Sequence, residues 1–254
     1  AVADILFGKA CPCGKLAETM PYKLSDNPSY LSFGDGKNVN YQEGIFVGYR
    51  YYDAKEMPVA FPFGYGLSYT SFAYSNLKIN KTEIGEDDTV TVSVDVTNTG
   101  DMEGKEIVQL YISDQTKAAR RPIQELKGYE KVSLKPGETK TVVFTLDYRS
   151  FAWYNVGIKD WYAASGDYKI LIGACSRDMR LSGNVHLTAK KRLPIQVHMN
   201  TTLGELLADE RTAGYVAHFK KQLEGIFGMS SEGDKKEDGD VAISDAMDHA
   251  MVAC

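Results

Sequence analysis

Between Val90 and Leu187 apolar and polar residues trade places at nearly every step. Val90, Val92, Val94 and Val96 alternate with Thr91, Ser93, Asp95 and Thr97. A period of two puts one set of side chains on each face of an extended strand, so this stretch predicts a strand buried on one face only. The pattern returns in Val108-Leu110-Ile112, Val142-Phe144-Leu146 and Tyr168-Ile170-Ile172, and more loosely in Leu181, Val185 and Leu187. Between the runs, Asn98-Thr99-Gly100-Asp101, Lys135-Pro136-Gly137-Glu138 and Ser165-Gly166-Asp167 place Gly or Pro where the backbone must reverse. With residues 72–79 and 126–134 added, the count is about seven strands, and strands with one apolar face must pack against a second sheet.

The predicted fold class is therefore mainly β, a seven-stranded fibronectin type III-like or immunoglobulin-like sandwich. With 254 residues, 43% of them hydrophobic, the chain has ample material for a core. A net charge of −5, from 29 Lys and Arg against 34 Asp and Glu, leaves no basic excess, which argues against nucleic acid or an anionic membrane as partner. No run approaches the ~20 apolar residues that cross a bilayer. The opening AVADILFGKA lacks an initiator Met and a signal-like pattern, and reads as a chain entered in mid-domain. Cys11, Cys13, Cys175 and Cys254 form no regular framework, so a reducing, cytoplasmic compartment is expected.

Residues 1–69 differ from the alternating region. They are rich in Gly, Pro and Tyr, contain no complete βαβ unit, and read as the incomplete end of an α/β domain. They finish in the aromatic and glycine-rich stretch Phe61-Pro62-Phe63-Gly64-Tyr65-Gly66-Leu67-Ser68-Tyr69. After the sandwich, residues 189–254 are expected to form a helical extension: a connector, an amphipathic helix, the charged linker 230–240 and a short last helix carrying Ile243, Met247 and Met251. Thr202 and Glu205 have the spacing of a capping box that opens the first of these helices, whose stripe is Leu206, Leu207, Phe219, Leu223 and Ile226. Such a stripe calls for a surface to cover it, on hydrolase domains or on a second subunit.

Three stretches together resemble one family: ADILFGKACPCGKLAETMP, YYDAKEMPVAFPFGYGLSYTSF, and the region from VTNTGDMEGKEIVQLYISD to RRPIQELKGYEKVSLKPGETKTVVFTLD. They are similar, from residue 3 to about 187, to the carboxy-terminal part of glycoside hydrolase family 3, the β-glucosidase and β-xylosidase group. The resemblance implies residues 1–69 at the end of an α/β sandwich domain, residues 70–188 as a fibronectin type III-like domain, and the aromatic stretch as the joint between them. It further implies a parent enzyme that removes terminal non-reducing β-D-glucosyl or related residues by a retaining mechanism. Such a mechanism needs two carboxyl groups about 5–5.5 Å apart. The motifs that carry both belong upstream of residue 1, so no residue of this chain inherits either role. No catalytic, cofactor-binding or metal-binding residue is assigned, and the chain by itself is expected to be inactive. Its expected partners are the hydrolase domains of the same protein, β-linked glycoside through those domains, and a second copy of the chain in a homo-oligomer. The alternative is a non-enzymatic fibronectin-like module that binds carbohydrate or a protein.

Other groupings favour plain readings. Cys11-Pro12-Cys13 stands where the family commonly has Asn-Pro-Ser; two thiols there are open to oxidation or a soft metal, yet they supply only half of a zinc site. His186, His198, His218 and His249 are scattered. Asp234, Asp238, Gly239, Val241 and Asp245 fit a calcium-loop pattern, but Lys236 occupies a ligand position. Asn80-Lys81-Thr82 and Asn200-Thr201-Thr202 match the glycosylation acceptor triplet. Glu43 and Asp53 flank a Tyr-rich run, and each is expected to pair with a neighbouring cation such as Arg50 rather than to act in chemistry.

Overall fold

The computed structural model describes residues 2–34, 36–193 and 197–227. The chain forms two compact units that divide between Arg192 and Leu193.

In the first unit, α1 (Val2–Leu6), β1 (Met20–Pro21), α2 (Tyr49–Ala54) and β2 (Val59–Phe61) precede the sandwich, and β1 pairs antiparallel with β2. The sandwich strands are β3 (Phe72–Ile79), β4 (Glu83–Gly85), β5 (Val90–Asn98), β6 (Gly104–Asp114), β7 (Glu125–Leu134) and β8 (Thr139–Leu146). After α3 (Tyr148–Phe151) and a hairpin of β9 (Trp153–Asn155) with β10 (Asp160–Tyr162), β11 (Gly166–Cys175) and β12 (Asp178–Thr188) complete it. One sheet has the order β3-β5-β8 and the other β4-β12-β11-β6-β7.

All seven expected strands form, because their alternation is satisfied on both sheets at once. Val90, Val92, Val94 and Val96 are fully buried, and the register sets Val90 opposite Leu146, Val92 opposite Phe144 and Val94 opposite Val142. In the other sheet, the register of β11 on β6 sets Ile170 beside Ile112 and Ile172 beside Leu110. Each such side chain contributes about 1.5–3 kcal/mol relative to exposure. Gly128 lets the sheets approach: a Cβ there would lie 2.9 Å from Phe144 Cδ1. At one end Phe151 meets Tyr168 edge-on at 5.4 Å, and the Tyr168 hydroxyl donates to the Ala164 carbonyl at 2.9 Å. The structure adds β4, which pairs parallel with β12 so that Ile84 is buried opposite Leu187, and also the β9-β10 hairpin. Three-residue strands are too short to show a period, which is why alternation does not reveal them.

In the second unit, α4 (Leu203–Ala208) opens on the expected capping box: Thr202 Oγ1 accepts from the Glu205 amide at 3.2 Å, and Glu205 Oε2 accepts from the Thr202 amide at 2.9 Å. The single amphipathic helix expected there is broken. Asp209 leaves the helical region and its carboxylate accepts from the Arg211 amide at 2.9 Å, starting a separate helix, α5 (Glu210–Phe227). Aspartate competes for backbone donors in this way, which suits it to a cap and not to a helix interior. Tyr215 and Phe219 on α5 are exposed. The charged linker, the last short helix and the calcium-loop pattern lie outside the described residues.

Candidate functional site

The aromatic and glycine-rich stretch turns out to be the centre of a seam that fastens the first 69 residues to the outer face of β6. It is first tied to its own segment: the Leu16 amide donates to the Tyr65 carbonyl at 2.8 Å, and the Gly64 amide donates to the Leu16 carbonyl at 2.8 Å. Gly64 has φ +79°, and a Cβ there would sit 2.2 Å from Gln109 Oε1. Only glycine tolerates both the conformation and the approach.

Gln109, on β6, is the hub of the seam. It is buried, and its Nε2 donates to the Gly64 carbonyl at 3.1 Å and the Ala174 carbonyl at 2.8 Å, while Oε1 accepts from the Tyr111 hydroxyl at 2.6 Å. The Ser176 amide donates to the Phe63 carbonyl at 2.9 Å, and buried Gln124 donates to the Ser176 carbonyl at 2.5 Å. Phe63 stacks on Tyr49 at 4.8 Å, Tyr49 meets Tyr111 edge-on at 6.0 Å, and the Tyr49 hydroxyl accepts from the Leu126 amide at 2.8 Å. Burial, and then the neighbouring Tyr49, push the Tyr111 phenol far above its ordinary pKa, so it acts only as a neutral donor.

Two ion pairs flank this core. Arg177 Nε donates to Asp53 at 2.6 Å and Nη2 donates to the Met57 carbonyl at 2.9 Å. Lys15 Nζ lies 2.8 Å from Glu106 and donates to the Ala174 carbonyl at 3.2 Å. Buried pairs of this kind add little net stability but penalise any docking that separates them. The seam is thus a fastening, rich in groups that hold geometry.

The residues singled out in the sequence fall as follows. Asp53 pairs with Arg177, far away in the chain, and not with Arg50. Glu43 lines a different depression, and its Oε2 is shielded from solvent with no hydrogen-bond partner. The two carboxylates lie in separate surroundings. Cys11, Cys13 and Cys175 are free thiols; Cys11 Sγ lies 3.2 Å from Ser68 Oγ, and burial pushes the Cys175 thiol up. Among the described residues no group of three or more His, Cys, Asp or Glu is arranged to hold a metal ion. His186 Nδ1 is 2.7 Å from Asp167, His198 Nδ1 accepts from the Asn200 amide at 3.2 Å, and Asn80 Oδ1 accepts from the Thr91 amide at 2.8 Å. Gln109, Tyr111, Gln124, Arg177 and the Lys15–Glu106 pair went unnoticed in the sequence. One signal was there: Val108-Gln109-Leu110-Tyr111-Ile112 carries no charge on either face, which is how a strand covered on both sides reads.

Residues 1–69 match the glycosyl hydrolase family 3 C-terminal domain, and residues 106–176 match the fibronectin type III-like domain. The chain is 50% identical over 224 residues to thermostable beta-glucosidase B of Acetivibrio thermocellus, covering 88% of this chain and 30% of the relative. It is 42% identical over 219 residues to an exo-alpha-(1->6)-L-arabinopyranosidase of Bifidobacterium breve, covering 85% of this chain and 28% of the relative. The crystal structure of a Bifidobacterium adolescentis GH3 beta-glucosidase superimposes with a TM-score of 0.75 at 40% identity, over 85% of this chain and 32% of that one. The chain therefore spans about a third of the length of the relatives it matches. A sandwich of this strand order, seamed through β6 to a preceding segment that matches in the same place, makes the chain a carboxy-terminal segment belonging to glycoside hydrolase family 3.

Proposed function

We propose that this chain is the non-catalytic scaffold of a β-glucosidase-type hydrolase, and that it holds and covers hydrolase domains which carry the chemistry. In this reading residues 1–69 close an α/β domain, residues 70–188 form the fibronectin-like domain, and residues 189–254 are an extension. The parent enzyme removes terminal non-reducing β-D-glucosyl or related residues with retention, and its nucleophile and acid/base lie in the part of the relatives that this chain does not cover.

The observation that carries the reading is where the uncovered apolar surface lies. Among the described residues, most exposed large hydrophobics fall in the first 69, including Leu6, Phe7, Leu24, Leu31, Phe33, Tyr41 and Leu67. The sandwich outside the seam shows few. So lopsided a distribution marks a surface built to be covered by protein. Within the aromatic stretch Phe63 and Tyr65 serve the seam, while Phe61 remains 42% exposed.

The test is turnover of an aryl β-glucoside by three samples: this chain, the separately expressed hydrolase domains, and both mixed. The reading expects none from the chain alone and a gain in activity or in thermal lifetime on mixing. Turnover by the chain alone that survives repurification, or no effect of mixing on the hydrolase domains, would overturn it.

A further inference from the structure

Two thiols stand one residue apart beside the end of the aromatic stretch. Cys11 and Cys13 are free, partly open to solvent and outside any helix or strand, so joining them breaks no backbone ladder. Covalent geometry alone keeps Cα atoms two positions apart within about 7 Å, and a disulfide spans roughly 4.4–6.8 Å between Cα atoms. Pro12 between them locks one backbone angle and narrows the conformations the pair explores. The Cys11 sulfur is the better placed to react. Its S–H donates to the Pro12 carbonyl at 3.7 Å, while the Tyr69 amide donates to it at 3.4 Å and Ser68 Oγ lies 3.2 Å away. Donors aimed at a sulfur complement the charge it carries as an attacking thiolate. The Cys13 thiol makes no hydrogen bond among the described residues and is free to follow.

Three uses of such a pair can be weighed. A metal ion is poorly served, because among the described residues no third His, Cys, Asp or Glu joins the two sulfurs. A permanent staple is poorly served too, since a loop closed over one residue removes little freedom from the unfolded chain. A reversible disulfide needs only two accessible thiols within reach, and the pair meets that condition. Buried Cys175, whose thiol is pushed up by burial, is the contrasting inert case. We propose that Cys11 and Cys13 form a redox-sensitive dithiol that a low-molecular-weight disulfide converts to an intrachain disulfide. The Cys11 thiolate attacks one sulfur of the small disulfide, and the first small thiolate leaves. The Cys13 thiolate then attacks the Cys11 sulfur of the mixed disulfide and displaces the second. Two protein thiols are oxidised, one small disulfide is reduced to two thiols, and the two protons pass to those thiols. The modification stands on the local chemistry and does not depend on the scaffold reading.

The experiment exposes the 254-residue chain, carrying C254S so that Cys11, Cys13 and Cys175 are its thiols, to glutathione disulfide, quenches in acid and maps tryptic peptides by mass. The peptide of residues 10–15 should lose two hydrogens, and dithiothreitol should restore them. Cys175 should react at least roughly tenfold more slowly. C13S should stop at a stable glutathione adduct on Cys11, because the thiol that resolves it is gone. C11S should form its adduct on Cys13 roughly tenfold more slowly than the pair reacts. Hydrogen exchange at Val94 checks that each variant is folded; should one fail, the other variant and the map of the unsubstituted pair carry the test. Glutathione adducts that persist on the unsubstituted pair, a bridge from either thiol to Cys175, or C11S reacting as fast as the pair would each overturn the proposal.

Discussion

Arg121 is the side chain whose loss should cost this sandwich most for its size. It lies in the connection from β6 to β7 with a side chain only 6% exposed, against carboxylates of Asp114 (5%) and Glu125 (12%). Its Nη1 reaches Asp114 at 3.0 Å and donates to the Phe151 carbonyl at 2.7 Å, and its Nη2 reaches Glu125 at 3.1 Å. The guanidinium also sits 5.5 Å from the Trp153 ring. Arg121→Met keeps the packing and removes the charge, which leaves Asp114 buried without its cation while Glu125 retains Lys127 at 2.9 Å. Breaking one partner out of a buried pair costs about 3–5 kcal/mol. For a unit of this size that is on the order of 10 °C in Tm. Urea unfolding followed by tryptophan fluorescence measures it, with Trp153 as the local reporter.

The pH dependence supplies an internal check. Burial pushes Glu125 up, but the hydrogen bond and charge of Lys127 and then the charge of Arg121 outweigh it and hold the carboxyl below its ordinary value of 4.5. Its folded pKa is depressed, so its contribution is fully present above about pH 4.5 and is lost as pH falls through the depressed value. The variant has less of that contribution to lose. The gap between the two proteins should therefore narrow in acid. Arg121→Lys should fall between them, since one ammonium cannot span two carboxylates and a carbonyl. A loss under about 1 kcal/mol at pH 7, or a gap that stays constant to pH 3.5, would refute the reasoning.

Three further outcomes are expected. Gly64→Ala should destabilise the seam by at least about 1–3 kcal/mol, because of the +79° φ and the approach of Gln109, and should show first as faster hydrogen exchange at Ser176 rather than at Val94. Thr202→Ala should cost the second unit about 0.5–2 kcal/mol of helix stability by removing its capping box, read as fraying of Leu206 and Leu207 in hydrogen exchange. The His186–Asp167 hydrogen bond raises the histidine's pKa, so its contribution is complete below the ordinary histidine value and lost as pH rises through the raised one. Because both groups are well exposed, His186→Ala should cost only about 0.2–1 kcal/mol at pH 5.5 and less at pH 8.5, measured by urea midpoints.

What the sequence determined alone is what depends on neighbours a few residues apart. The alternation of Val90 to Val96 selects strand and buried face together, since a slip of one residue would expose every valine. Thr202 and Glu205 mark a helix start because both hydrogen bonds close within one turn. The resemblance in residues 1–69 and in the sandwich was likewise legible, being carried by contiguous runs. Only tertiary structure decided the rest. That Asp53 answers Arg177 and not Arg50, that Gln109 binds the Gly64 carbonyl, and that Phe63 turns inward onto Tyr49 all join residues more than a dozen positions apart. Short strands such as β4 exist because β12 offers an edge. Glu43 was expected to pair with a cation such as Arg50; only the fold leaves one of its oxygens shielded from solvent without a hydrogen-bond partner. Local periodicity reports which face is buried, whereas the partner on that face is chosen by long-range packing, and a single chain's spacing carries no record of it.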